Sequence, residues 1–276
     1  MEYISEHTKL YNEDCFIGLS KIEDNSYDLA IVDPPYGASS KHAWSYGDKG
    51  KLKGFGGNWK LTNEVWDTFS QDDSFTSTLK WLSELKRIVK ETGSIWIHST
   101  YHNSGFVNVC CQFLGLEIIN EVVWFKRNAF PNLSGRRLTA SHETILWVHT
   151  GGEKNRKYRF NYVERKEFSS PSDLIKVKGK QMRTVWDIPN NKSREELKFG
   201  KHPTQKPIKV SERILLLSGL KGGKLLIPFV GSGTEMVAGL NYGMDVCGFE
   251  LDPKYFEIAK ARIIEAEKNN KTTLFV

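Results

Sequence analysis

The sequence contains no CxxC pair and no histidine at metal-ligand spacing. Neither a zinc site nor a disulfide framework is therefore expected, and no metal is assigned. Its four cysteines, Cys15, Cys110, Cys111 and Cys247, read as small buried hydrophobes of a reducing compartment. No window approaches the roughly eighteen uncharged apolar residues that a membrane span needs. The N-terminal MEYISEHTKLYNEDC has no apolar run behind a basic start. A cytoplasmic location is the expectation. There is also no internal repeat, which excludes solenoids and propellers.

What is present is a chain of 276 residues, enough to bury one large α/β core with an insertion, or two smaller cores. The formal net charge is +6. Between Arg127 and Lys201 there are 17 Lys and Arg against 8 Asp and Glu, a net of +9, so the remaining residues together carry −3. Cationic surplus confined to one internal segment is the footprint of a polyanionic partner, or simply of a solvated surface.

Strand-like and helix-like stretches alternate, as in an α/β layer fold with a mostly parallel sheet flanked by helices. TKLYNED, YDLAIVD, GSIWIHS, EIINEVVWF, HETILWVHT, GKLLIPFV and DVCGFELD read as strands. CFIGLSKI, SGFVNVCCQFLG, IKVSERILLLSGL, TEMVAGLNYG and the segment after Pro253 read as helices. Phe75, Leu79, Leu82, Leu85 and Val89 lie at helical spacing and predict a further helix that includes Val89.

One of these strands, DLAIVDPPYG, runs into an acid, two prolines and a tyrosine. Consecutive prolines cannot continue a sheet ladder, so the strand must stop at Asp33. The result is either an ordinary turn or a rigid surface for something flat and polar. The stretch from Gly37 to Lys60 that follows is rich in glycine and carries Lys41, Lys51 and Lys53 among Trp44, Tyr46, Phe55 and Trp59. Glycine gives mobility, lysine meets phosphate and rings stack on bases, so a nucleic-acid loop and a plain flexible loop both fit.

A second stretch, LLIPFVGSGTEMVAGLNYGMDVCGFELD, takes a buried strand into Gly231, Ser232, Gly233 and Thr234, then a helix, and ends the next strand on Glu250. Glycines at a strand-to-helix turn let a cofactor approach the backbone, and an acid ending the next strand suits ribose hydroxyls. Glu250 lies 19 residues after Gly231, but Met236 stands where a dinucleotide fingerprint has its third glycine. A nicotinamide dehydrogenase and a user of another nucleoside cofactor both remain open at this point.

Asp33-Pro34-Pro35-Tyr36-Gly37, the His202 to Pro207 segment HPTQKP, and the Pro228 to Thr234 segment PFVGSGT together resemble the β class of amino-group DNA methyltransferases. In that class the catalytic motif precedes the cofactor glycines, a circular permutation of the usual chain. The resemblance implies a Rossmann-like methyltransferase fold with S-adenosylmethionine as cofactor and double-stranded DNA as partner. The reaction it implies is transfer to adenine N6 with base flipping, with cytosine N4 as the alternative and a non-catalytic DNA-binding module behind both. Asp33 and the Pro34 carbonyl would accept the amino hydrogens, Pro35 would fix them in place, and Tyr36 would restack the base. Cofactor contacts would come from Asp14, Cys15, Asp33, His202, Thr204, Lys206, Pro228, Phe229, Gly231, Ser232, Gly233, Thr234, Glu250 and Leu251. Asp14 equally suits a helix N-cap. Arg136 and Arg137 join the loop lysines as DNA contacts. A homodimer and a cognate restriction endonuclease are both left open as partners. Members often carry an acid just before the PF pair, where this chain has Ile227.

The expected organisation is a catalytic part over 1–126 with a loop at 37–60, and a target-recognition region over 127–201 interrupted by a core strand at 141–150. A cofactor-binding part over 202–276 completes the chain.

Overall fold

A computed structural model describes residues 1–36, 71–131, 136, 138–152, 156–161 and 182–273. The loop with Lys41, Lys51 and Lys53, Arg137, and much of the segment expected to read DNA lie outside the described residues.

The strands are β1 (Glu2–Ile4), β2 (Thr8–Tyr11), β3 (Tyr27–Val32), β4 (Val89–Ser99), β5 (Glu117–Phe125), β6 (His142–His149), β7 (Val185–Asp187), β8 (Lys224–Ile227) and β9 (Asp245–Phe249). The helices are α1 (Cys15–Ser20), α2 (Gln71–Ile88), α3 (Ser104–Phe113), α4 (Ile208–Ser218), α5 (Thr234–Tyr242) and α6 (Pro253–Thr273). Among the described residues the strands form one sheet in the order β1-β2-β9-β8-β3-β4-β6-β5-β7. The run from β2 to β4 is parallel, whereas β6 is antiparallel to both its neighbours.

The central strands are apolar on both faces because both faces are covered. Successive residues of β3 alternate between two cores. Leu29 and Ile31 face the side of α4, α5 and α6, with Ile214, Met236 and Phe256, while Ala30 and Val32 face Leu82, Leu85 and Val107 of α2 and α3. On the first side Trp96 of β4 stacks on Trp147 of β6 at a centroid distance of 4.9 Å, and Trp186 lies at 5.8 Å from Trp96. These buried rings knit the antiparallel end of the sheet to its parallel centre.

The structure differs from the expectation at one boundary. Helix α2 ends at Ile88 and β4 begins at Val89, which pairs with Tyr27. Val89 is buried, and its spacing from Leu85 satisfies a helix as well as a strand entrance, so apolar periodicity could not place the boundary. β1 and β7, three residues each, are too short to give a periodic signal.

Candidate functional site

Four parallel strands deliver the site. β2, β9, β8 and β3 point the same way, so the residues that follow them, Asp14, Glu250, Pro228 and Asp33, converge at one edge of the sheet. Between β8 and β3 the chain leaves in opposite directions, to α5 and β9 on one side and towards β4 on the other. Ligands of open α/β sheets bind at such a crevice outside the carboxyl ends of the strands. Here it is a cavity of about 590 Å³.

At its β3 end, Asp33 is held by Lys206, whose Nζ donates to Oδ1 at 2.8 Å and to Oδ2 at 2.7 Å. The same ammonium donates to the Tyr36 hydroxyl at 2.8 Å, and that hydroxyl donates to Asp33 Oδ1. Lys206 is only 3% exposed. Burial disfavours the Asp33 carboxylate, yet Lys206 beside it prevails and holds its pKa below the ordinary carboxylate value. Burial likewise disfavours the Lys206 ammonium, and Asp33 with Glu143 more than offsets it. Asp33 is thus ionised and fixed in orientation, an acceptor and not a base waiting for a proton. Behind it, burial holds His98 down to about 4, with Asp33 partly opposing, so this ring is neutral.

The β8 end carries the glycine turn. Gly231 and Gly233 take φ of +54° and +82°, backbone that L side chains rarely adopt. A Cβ on Gly233 would also stand 3.1 Å from Ala259 of α6, so this glycine lets the turn sit on the helix. The Gly231 N–H donates to Glu250 Oε2 at 2.7 Å, and the Asp252 N–H donates to Glu250 Oε1 at 2.8 Å. Burial pushes Glu250 up to about 7 despite those two donors. Behind the turn, Arg262 of α6 donates to the Ser232 carbonyl at 2.7 Å, to Ser232 Oγ at 2.9 Å and to Thr234 Oγ1 at 3.1 Å. This brace was not legible in the sequence, because one arginine in an amphipathic helix carries no signal of its target.

The remaining expected residues are distributed as follows. Pro34, Pro35 and Tyr36 line the cavity, as do Asp14, Cys15, His202, Thr204, Pro228, Phe229, Ser232, Thr234 and Leu251. Gly233 does not line it; it supports the turn against α6. Asp14 Oδ1 accepts the Phe16 N–H at 2.9 Å, so the N-cap role is present alongside the cavity position. Arg136 is exposed. Sequence reasoning missed Trp81, which meets Phe229 edge-on at 6.2 Å, and Glu235, a buried acid in the first turn of α5. Among the described residues no cluster of three acids, cysteines or histidines is arranged for a metal, and no helix is long and apolar enough to cross a membrane.

A DNA methylase family model for N6 and N4 enzymes matches residues 27–261. The chain belongs to that family. Similar curated proteins are the Type II methyltransferase M2.LlaDCHI of Lactococcus lactis subsp. cremoris, 35% identical over 263 residues that cover 95% of this chain and 91% of the relative. The Type II methyltransferase M2.DpnII of Streptococcus pneumoniae is 36% identical over 260 residues, 94% of this chain and 90% of its own. The fold is shared with the cytosine-N4-specific PvuII DNA methyltransferase, at a TM-score of 0.70, 15% identity and coverage of 94% and 87%. It is shared also with the M1.HpyAVI complex with S-adenosylmethionine, at 0.61, 22% and coverage of 93% and 98%. The methylase thus transfers methyl groups to DNA with S-adenosylmethionine as donor.

The donor set of the methylase's cavity fits that cofactor. A glycine turn admits close approach, an acid ends the neighbouring strand, and a buried carboxylate, Glu235, lines the wall with little to hold.

Proposed function

We propose that this methylase modifies the N6 amino group of adenine in duplex DNA. The observation that carries the reading is the Asp33, Lys206, Tyr36 cluster at the end of β3. It presents an ionised carboxylate, and Pro34, next in the chain, lines the same cavity, so its carbonyl would supply a second acceptor on a backbone that two prolines hold rigid. An exocyclic amino group has two hydrogens to give to two such acceptors. Asp33 polarises the amine and draws its lone pair outward. Lys206 keeps the carboxylate ionised and aimed, and Tyr36 presents a ring against which a flipped base stacks. Unstacking a base costs a few kcal/mol, which this ring and these acceptors offset. S-adenosylmethionine, when bound, supplies an electrophilic methyl group. Gly231, Glu250 and the loop from His202 to Lys206 form the walls that orient it.

Adenine in preference to cytosine is supported by the Asp of Asp-Pro-Pro-Tyr, where cytosine N4 enzymes of the resembled class more usually carry Ser. The Type II names of the curated relatives support a role as the modifying partner of a cognate restriction endonuclease. The basic segment from Arg127 to Lys201 is the proposed reader of the DNA site, and its strands β6 and β7 lie at the far end of the sheet from β1.

The test is nucleoside analysis by mass spectrometry after incubation of mixed duplex DNA with S-adenosylmethionine carrying a deuterated methyl group. Labelled N6-methyladenine is expected. Labelled N4-methylcytosine alone, or no labelled nucleoside, would overturn the proposal.

A further inference from the structure

Six carboxylates line the cavity: Glu13, Asp14, Asp33, Glu235, Glu250 and Asp252. Five are engaged. Glu13 pairs with Lys21, and Asp33 with Lys206. Asp14 caps α1 at Phe16 N, and Asp252 accepts the N–H of Lys254 at 2.8 Å. Glu250 accepts the N–H groups of Gly231 and Asp252.

Glu235 is different. It is 4% exposed, yet its hydrogen-bond partner from another residue is the Ser211 hydroxyl of α4, at 3.4 Å, close to the limit of a real hydrogen bond. Arg262, a buried guanidinium whose charge reaches Glu235, donates from Nη1 to Ser232 and Thr234. Burial pushes the Glu235 carboxyl up to about 7, with the charge of Asp33 adding to the rise and Lys206 and Arg262 opposing it. A buried acid with so few donors is costly unless a cation arrives to meet it.

The end of β8 explains why an acid is needed there. Ile227 is fully buried and packs in the same core as Val210 and Met236, the residues adjoining Ser211 and Glu235. The strand end itself therefore offers no carboxylate to the cavity on this side. S-adenosylmethionine carries an α-ammonium group, which requires an anionic acceptor once removed from water.

We propose that Glu235, from the first turn of α5, is the residue that receives the cofactor's ammonium group, in the place where Ile227 supplies none. This deepens the cofactor reading of the cavity and rests on it. The ammonium would meet a carboxylate held otherwise by its own backbone N–H and, weakly, by the Ser211 hydroxyl.

The test compares wild type with Glu235→Gln, which keeps the side chain's shape, by calorimetry without DNA. The probes are S-adenosylhomocysteine and 5′-methylthioadenosine, which shares the nucleoside and thioether but lacks the amino-acid end. The expected result is an affinity for S-adenosylhomocysteine about 10- to 100-fold weaker in the variant, the scale of one lost charge-assisted hydrogen bond. Affinity for 5′-methylthioadenosine should be unchanged. An unchanged affinity for S-adenosylhomocysteine, or an equal loss for both probes, would overturn the assignment. A wild type that binds neither probe would instead overturn the cofactor reading of the cavity.

Discussion

At the scale of single residues, the methylase keeps two kinds of acid in one cavity by giving them different neighbours. Asp33 has a lysine and stays ionised below the ordinary range, whereas Glu235 and Glu250 have burial without a paired cation and rise to about 7. For Glu235 the rise has a definite sign for stability. Between the ordinary value of 4.5 and about 7 the folded protein keeps a proton that the unfolded chain has released, and above about 7 it must bury a charge. The favourable contribution is therefore present at low pH and lost as pH rises through that window. Glu235→Gln removes the loss, so the ligand-free variant should melt above wild type at pH 8 and by a smaller margin at pH 5.5, the difference vanishing only below about 4.5. Thermal unfolding at the two pH values checks this, and a difference independent of pH would contradict it. Such a gain in stability at the expense of ligand binding is the usual trade at functional sites. Asp33 and Tyr36 were legible in the sequence because prolines mark them. The pairing of Asp33 with Lys206 was not, since 173 residues separate them and only the fold brings them together.

At the scale of elements, short turns at strand ends do most of the positioning. Helix α1 is six residues long and starts at the cavity rim, with Asp14 both capping it and lining the cavity. The two roles separate by substitution. Asp14→Ser retains a capping oxygen, so thermal stability should fall by well under the roughly 1 kcal/mol that Ala costs at an N-cap. If the second carboxylate oxygen meets the cofactor's adenine, as the resemblance implies, cofactor affinity should drop several-fold all the same. Calorimetry alongside thermal melts measures both, and a variant with unchanged affinity would leave Asp14 a cap alone. The glycine turn and its acid 19 residues on were readable from chain pattern, as was the alternation of buried strands with amphipathic helices. The α2 to β4 junction was not, because helix and strand abut at Val89 with no turn residue between them.

At the scale of the whole molecule, the chain order and the sheet order differ. β8 and β9 come late in the chain but lie between β2 and β3 in the sheet. The acceptor residues of β3 and the cofactor residues of β8 and β9 are thus brought to adjacent strand ends, forming two halves of a single crevice. Neighbouring strands of opposite outward connection generate that crevice whatever the chemistry. On the proposed reading, the two halves have separate tasks. The most direct measurement takes Asp33→Ala and determines, on one preparation, the methyl-transfer rate to duplex DNA and the dissociation constant for S-adenosylhomocysteine. The expected rate is lower by about a hundredfold or more, the scale of losing a preorganised polar group at the reacting atom, with the dissociation constant within about threefold of wild type. Loss of cofactor affinity in parallel with the rate, or a rate that survives the substitution, would contradict it.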